Sequence, residues 1–163
     1  MLAISRPQFK KISSADLATI CDWHREHVKI NFPDSKYKRA LFYAKLWGNF
    51  QAMQLDDRWT ILFKAMDKKR MVGFLWLKLE RDRFKDLFYC DLHYIQVSPE
   101  YRNKGIGIKL MEKAQEWAKK QKCQEIRLGT NVHNKAAIGL YHKCGYKITR
   151  VLMEKKICLR KKK

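Results

Sequence analysis

Two hydrophobic periods alternate along the chain, and the points where one gives way to the other predict its elements. "SSADLATICDWHREHV" carries Leu17, Ile20, Cys21, His24 and Val28 at helical spacing, with Ser13 or Ser14 as the cap and Asp16 in the first turn. "NFPDS" ends that helix. "SKYKRALFYAKLWGNFQAM" begins a second, with Tyr37, Ala40, Leu41, Ala44 and Trp47 on one face. Phe42, Tyr43, Leu46 and Phe50 widen the apolar surface beyond one stripe, which fits either a deeply buried helix or the aromatic wall of a pocket.

The period then shortens. "RWTILFKAM" and "RMVGFLWLKLE" flank "DKK" in a hairpin pattern, and "DLFYCDLHYIQVS" is a third strand that stops at Pro99. "GIGIKLMEKAQEWAKKQ" returns to helical spacing, with Leu110, Met111, Ala114, Trp117 and Ala118 inward and its lysines outward. A short strand, "EIRLGTNV", precedes the helix "NKAAIGLYHKCG", which stops at Gly145. "YKITRVLMEKKICL" reads as a last strand. This order describes one mixed α/β domain over residues 1–163, an α+β arrangement without linker or repeat. Residues 86–130 form a strand–helix–strand unit, expected to be a right-handed parallel crossover.

Composition changes this picture in one respect. The 163 residues, 46% of them hydrophobic, with five Trp, seven Tyr and eight Phe, suit one ordinary core. No stretch reaches the length of a membrane span, and the N-terminus lacks the apolar block of an export signal. Five scattered cysteines without a Cys-x-x-Cys pair read as thiols in a reducing, cytoplasmic setting. Cys21, His24 and His27 would not converge on a metal without partners elsewhere, so no metal is expected. The departure is charge: 36 Lys and Arg against 16 Asp and Glu give +20. Such a surface attracts polyanions and repels polycations. The end "KKICLRKKK" is a solvated basic terminus or an anchoring tail.

Within this basic background, "SPEYRNKGIGIKL" sets Gly105 and Gly107 one residue apart, just after Arg102 and Lys104. The turn falls between a strand and a helix, where main-chain N–H groups lack helical partners and carry the positive end of the dipole. Glycine admits a ligand to that backbone. The arrangement is a site for phosphate or pyrophosphate. It lacks the Lys-Ser/Thr of a P-loop and the third glycine of the dinucleotide fingerprint.

"YIQVSPEYRNKGIGIKLMEKAQEWA" followed by "TNVHNKAAIGLYHKCGY" resembles the GNAT superfamily of acyl-CoA-dependent N-acyltransferases, in both segments and in their separation. The likeness covers residues 86–157. It implies a central mixed sheet with a splayed parallel strand pair, about four helices, and acetyl-CoA held in the cleft between the splayed strands. Ile95, Gln96 and Val97 would hydrogen-bond the pantetheine arm through main chain. Arg102, Asn103, Lys104, Gly105, Ile106 and Gly107 would wrap the pyrophosphate. Asn134 would hold the pantetheine arm deeper in, and Tyr141 would sit near the thioester sulfur.

The implied chemistry makes its own demands. A lysine amine is only about one part in a thousand neutral near pH 7.4, whereas an α-amine is roughly a quarter neutral, so a lysine acceptor needs a stronger base. Asp91, His93, Ile95 and Val97 alternate and are expected on one face of their strand. Asp91 falls where the histone-acetylating branch of the superfamily places a glutamate base, and His93 offers an imidazole of suitable pKa. The branch that acetylates ribosomal-protein N-termini carries a glutamate where this chain has Gly129. Tyr141 can hydrogen-bond the sulfur as charge develops on it. Carbonyl stabilisation falls to a main-chain N–H at the end of the 86–98 strand.

The leading expectation is therefore acetyl transfer from acetyl-CoA to an amine, either a small molecule or a protein amine. The charge disfavours polyamines and aminoglycosides as acceptors, and favours an anionic metabolite or a protein amine on an acidic or RNA-rich assembly. A basic nucleic-acid-binding protein would share the charge, but would not need the paired motifs. A non-catalytic CoA-binding sensor would keep the site and lack the transfer. No feature of the sequence sets an oligomeric state.

Overall fold

The computed structural model describes residues 7–31, 36 and 38–155. Its elements run β1 (Gln8–Lys11), α1 (Asp16–Asn31), α2 (Arg39–Leu55), β2 (Thr60–Asp67), β3 (Arg70–Asp82), β4 (Leu87–Val97), a 3₁₀ turn (Pro99–Tyr101), α3 (Ile106–Lys120), β5 (Glu125–Arg127) and α4 (Lys135–Lys143). The strands form one sheet in the order β1-β2-β3-β4-β5, antiparallel except for the parallel pair β4–β5. The mixed α/β class expected from the hydrophobic periods is the class observed.

Local chemistry accounts for the starts of the elements. The Asp16 carboxylate accepts from both the N–H and the hydroxyl of Ser13, at 2.6 and 2.7 Å, and so fixes the chain at the head of α1. Lys64 of β2 reaches the same carboxylate at 2.7 Å and ties the helix to the sheet. Leu17, Ile20 and Cys21 are fully buried, as the spacing predicts. The central strand β3 is buried on both faces from Val72 to Leu77, which is why its sequence is a continuous apolar run rather than an alternation.

α2 is rotated from its expected setting. Leu46 and Met53 are buried and Phe42 and Phe50 pack beside them, while Leu41 is 66% exposed and Ala40, Ala44 and Trp47 also face outward. Two apolar stripes compete on this helix. The inward stripe is the bulkier one, and it removes more apolar surface from water. Tyr37 lies outside the described residues.

Four further departures concern the sheet. β1 has the sequence "QFKK", too short and too polar to signal a strand. β5 spans three residues, and Leu128–Val132 leave the sheet. Residues 146–155 of the expected last strand form none, and Ile148, Val151, Leu152 and Met153 are exposed; a strand needs a partner edge, and β5, the edge strand on that side, is only three residues long. Residues 156–159 of that expectation lie outside the described residues. Finally, Trp76 of β3 stands opposite Tyr94 and Leu77 opposite Leu92, leaving His93 as the extra residue of a β-bulge. The bulge reverses the alternation along β4.

α3 packs its buried side, Ile106, Leu110, Met111, Ala114, Trp117 and Ala118, across β3 and β4. Gly73 permits this approach, since a Cβ there would stand 3.0 Å from Leu110 and 3.3 Å from the Gln96 carbonyl oxygen. α1 and α2 cover the other face, where Gln96 of β4 donates to the Trp23 carbonyl and the Lys45 ammonium stands over Trp76.

Candidate active site

The pairing of β4 with β5 lasts from Tyr89↔Glu125 to Asp91↔Arg127 and then ends, while β4 runs on to Val97. Beyond Asp91 no described strand covers that edge of β4. The two strands part there, and the gap between them is edged by β4 main chain that has no β5 partner.

At the mouth of the gap the chain turns through Pro99–Tyr101 into α3. Asn103 (φ 60°) and Gly105 (φ 78°) are both left-handed and bracket Lys104. Such alternation turns successive N–H groups into one concavity. The first bond of the helix is Lys109 N–H to the Gly105 carbonyl, and no side chain caps the helix start. The N–H groups from Gly105 to Ile108 therefore precede the helical ladder and point from the positive end of its dipole. Arg102 and Lys104 are exposed beside them. Arg102 donates to the Val97 carbonyl at 3.4 Å, and the Lys104 ammonium stands 5.0 Å from the Tyr101 ring.

The two glycines have different tasks. Gly105 holds a positive φ with open space around its α-carbon, the conformational use of glycine. Gly107 is a packing glycine. A Cβ there would meet Leu140 of α4 at 3.1 Å, so its bareness seats α4 against α3 rather than making room for a ligand. That seating brings the helix of Asn134 and Tyr141 alongside the anion turn.

Asn134 caps α4, its side-chain oxygen accepting from Ala137 N–H at 3.2 Å, which leaves its amide NH2 as the group available to a ligand. Tyr141 is 9% exposed, and burial raises its phenol pKa, so the hydroxyl stays a donor.

The bulge separates residues that strict alternation would have kept together. Asp91 pairs across the sheet with Lys78 and Tyr94 with Trp76, on the side of α1 and α2; Ile95 and Val97 pair with Leu75 and Gly73, on the side of α3. The expected single face for Asp91, His93, Ile95 and Val97 is thus divided in two. Asp91 and His93 do meet: Asp91 Oδ2 lies 3.1 Å from His93 Nδ1, and the imidazole packs edge-on against Trp76 with centroids 4.4 Å apart. Gln96 is buried, accepting from the Tyr94 hydroxyl at 2.6 Å and donating to the Trp23 carbonyl at 3.1 Å. Its side chain is committed to the fold.

Around Tyr94 lie groups that local sequence reading did not bring together. His24 stacks on Phe42 at 3.6 Å and approaches Tyr94 edge-on, with His27 beside it. Burial, then the neighbouring His27 and Lys45, push the His24 pKa down to about 4. Burial and Arg102 lower that of His27. Lys45 of α2 and Lys78 of β3 stand 5.8 and 5.3 Å from the Trp76 ring centroid. The contacts of His24 with Phe42 and Tyr94, and of Lys45 with Trp76, form only when α1 and α2 pack on the sheet, so no local motif could have announced them.

Two surface hollows, of about 610 and 310 Å³, lie at the opposite, Leu87 end of β4. Arg81 and Asp86 in one, and Asp82 and Arg127 in the other, are bonded to each other. Both are remote from the anion turn along the strand.

The model of the acetyltransferase (GNAT) family matches residues 17–146. The chain belongs to the GNAT family. It is 26% identical over 161 residues to the spermidine N(1)-acetyltransferase of Thermoplasma acidophilum, covering 91% of this chain and 96% of that one. It is 39% identical over 63 residues to an uncharacterized N-acetyltransferase of Methanocaldococcus jannaschii, a stretch that is 39% of this chain and 28% of that relative's length. Among solved structures, AAC(6')-Iy in complex with a CoA-containing bisubstrate analog superposes with a TM-score of 0.70 and 19% identity, covering 94% of this chain and 100% of that one. At that identity the likeness is one of fold. The parting of β4 from β5, the turn at Asn103–Gly105 and α4 all fall within the residues the family model matches.

Proposed function

We propose that this GNAT domain transfers an acetyl group from acetyl-CoA to an amine. The observation that carries the reading is the uncapped, twice left-handed turn at Asn103–Gly105, set where β4 and β5 part. Its size and charge suit a pyrophosphate, and the bare edge of β4 suits an amide-bearing arm laid along it.

When bound, acetyl-CoA supplies an acetyl group activated as a thioester. The N–H groups of Gly105, Ile106 and Gly107, with Arg102, Asn103 and Lys104, would hold the pyrophosphate. Main chain at Ile95–Val97 would pair with the pantetheine arm, and the Asn134 amide NH2 would donate to it. His93 would take the proton of the incoming amine on Nε2, with Asp91 accepting from Nδ1–H. A main-chain N–H of the bulged strand would stabilise negative charge on the acetyl oxygen. Tyr141 would donate its hydroxyl hydrogen bond to the departing thiolate sulfur.

The test is release of free thiol from acetyl-CoA in the presence of a mixed panel of amines. Tyr141→Phe is expected to lower kcat by about 10- to 100-fold, with acetyl-CoA affinity nearly unchanged. Tight cofactor binding with no transfer to any amine would convert the reading to a CoA-binding sensor. Salt-sensitive RNA binding untouched by CoA would favour a nucleic-acid-binding protein.

A further inference from the structure

Trp76 is the meeting point of four polar side chains from three elements. His93 packs edge-on against its ring at 4.4 Å, and His93 bonds Asp91 at 3.1 Å. The ammonium groups of Lys78, from its own strand, and Lys45, from α2, stand 5.3 and 5.8 Å from the ring centroid. All four lie on the α1–α2 side of the sheet, at the level where β5 parts from β4. Asp91 is engaged by His93, whereas neither lysine pairs with a carboxylate among the described residues. Glu80, the next acidic residue on this face of β3, stands one pleat further from the gap.

We infer that the acceptor is an amine with an anionic group on a neighbouring carbon, an α-amino carboxylate or its phosphorylated counterpart, whose anion sits between Lys45 and Lys78. This rests on the acetyl-transfer reading above and names its acceptor. The amine lies at the Asp91–His93 pair, and the anion neutralises two ammonium groups that stand 5.8 and 5.3 Å from the same Trp76 ring. Two like charges over one buried indole repel each other, and an anion between them removes that repulsion. A polyamine would add positive charge to the same place. The chain resembles a spermidine acetyltransferase over most of its length, yet Lys45 and Lys78 beside Trp76 carry the charge that opposes such an acceptor.

The experiment compares kcat/KM, referred to the free-amine form of each acceptor so that differences in amine pKa are removed, for pairs with and without the anion. L-leucine is set against leucinamide, O-phosphoethanolamine against ethanolamine, and spermidine stands as the cationic reference. The native chain is expected to favour the anionic member of at least one pair by about tenfold or more; the pair that shows it tells carboxylate from phosphate. Lys45→Glu/Lys78→Glu is expected to abolish that preference and to raise relative activity on spermidine, with KM for acetyl-CoA unchanged. Lys45→Gln/Lys78→Gln keeps most of the cover over Trp76 and is expected to lose the preference without the reversal. A native preference for spermidine or for the members lacking the anion overturns the inference while leaving acetyl transfer standing. So does a preference for anions that survives both double variants. If no amine of any charge is acetylated, the transfer reading falls and this inference falls with it.

Discussion

Asn134 shows how one side chain serves fold and site through different atoms. Its oxygen caps α4, and its amide NH2 is the group assigned to the cofactor. The two duties separate by substitution. Asn134→Asp keeps an acceptor at the helix start and is expected to hold stability within about 0.5 kcal/mol, yet to weaken acetyl-CoA binding. Asn134→Ala is expected to lose about 1 kcal/mol of stability as well. Urea unfolding and calorimetric titration of both variants check this. A second consequence at this scale concerns acid. The folded state holds His24 neutral down to about pH 4, whereas an exposed histidine binds its proton near 6.5. The unfolded chain therefore takes up the proton first as pH falls. Stability is full above about pH 6.5 and declines toward pH 4. The urea midpoint is expected to fall between pH 7 and pH 5, and to fall less in His24→Phe. At this scale the motif residues were legible because their chemistry is local. The contact of Lys45 with Trp76 was not, because α2 must pack on β3 before they meet.

At the scale of elements, most of the chain follows its hydrophobic periods, and the departures have particular causes. α2 offered two stripes and buried the bulkier one. The bulge at His93 leaves no trace in composition, since one extra residue in a strand keeps its β character while exchanging its faces. The glycines of the turn were legible as a pair, but their division of labour was not: Gly107 answers to Leu140, a residue thirty-three positions away. The seam between α3 and the sheet is equally close. Gly73→Val would drive a side chain into Leu110 and toward the Gln96 carbonyl, and is expected to cost about 1–3 kcal/mol. Because β3 supports the strand that edges the gap, a folded Gly73→Val protein is also expected to bind acetyl-CoA more weakly. Chemical unfolding and the same titration measure the two effects.

At the scale of the whole molecule, the family match over residues 17–146 and the parting of β4 from β5 agree with the resemblance seen in two sequence segments. The net charge of +20 pulls in another direction, since such a surface draws any polyanion at low salt. A specific pyrophosphate site and a diffuse basic surface respond differently to ligand chemistry. The most direct measurement is calorimetric titration of the native chain with acetyl-CoA and with S-acetylpantetheine, which keeps the thioester and arm but lacks the pyrophosphate, each at low and high salt. The account predicts one acetyl-CoA site per chain with Kd on the order of micromolar, retained at high salt, and S-acetylpantetheine weaker by about a hundredfold or more. Absence of acetyl-CoA binding at either salt, or binding that high salt abolishes altogether, would contradict it.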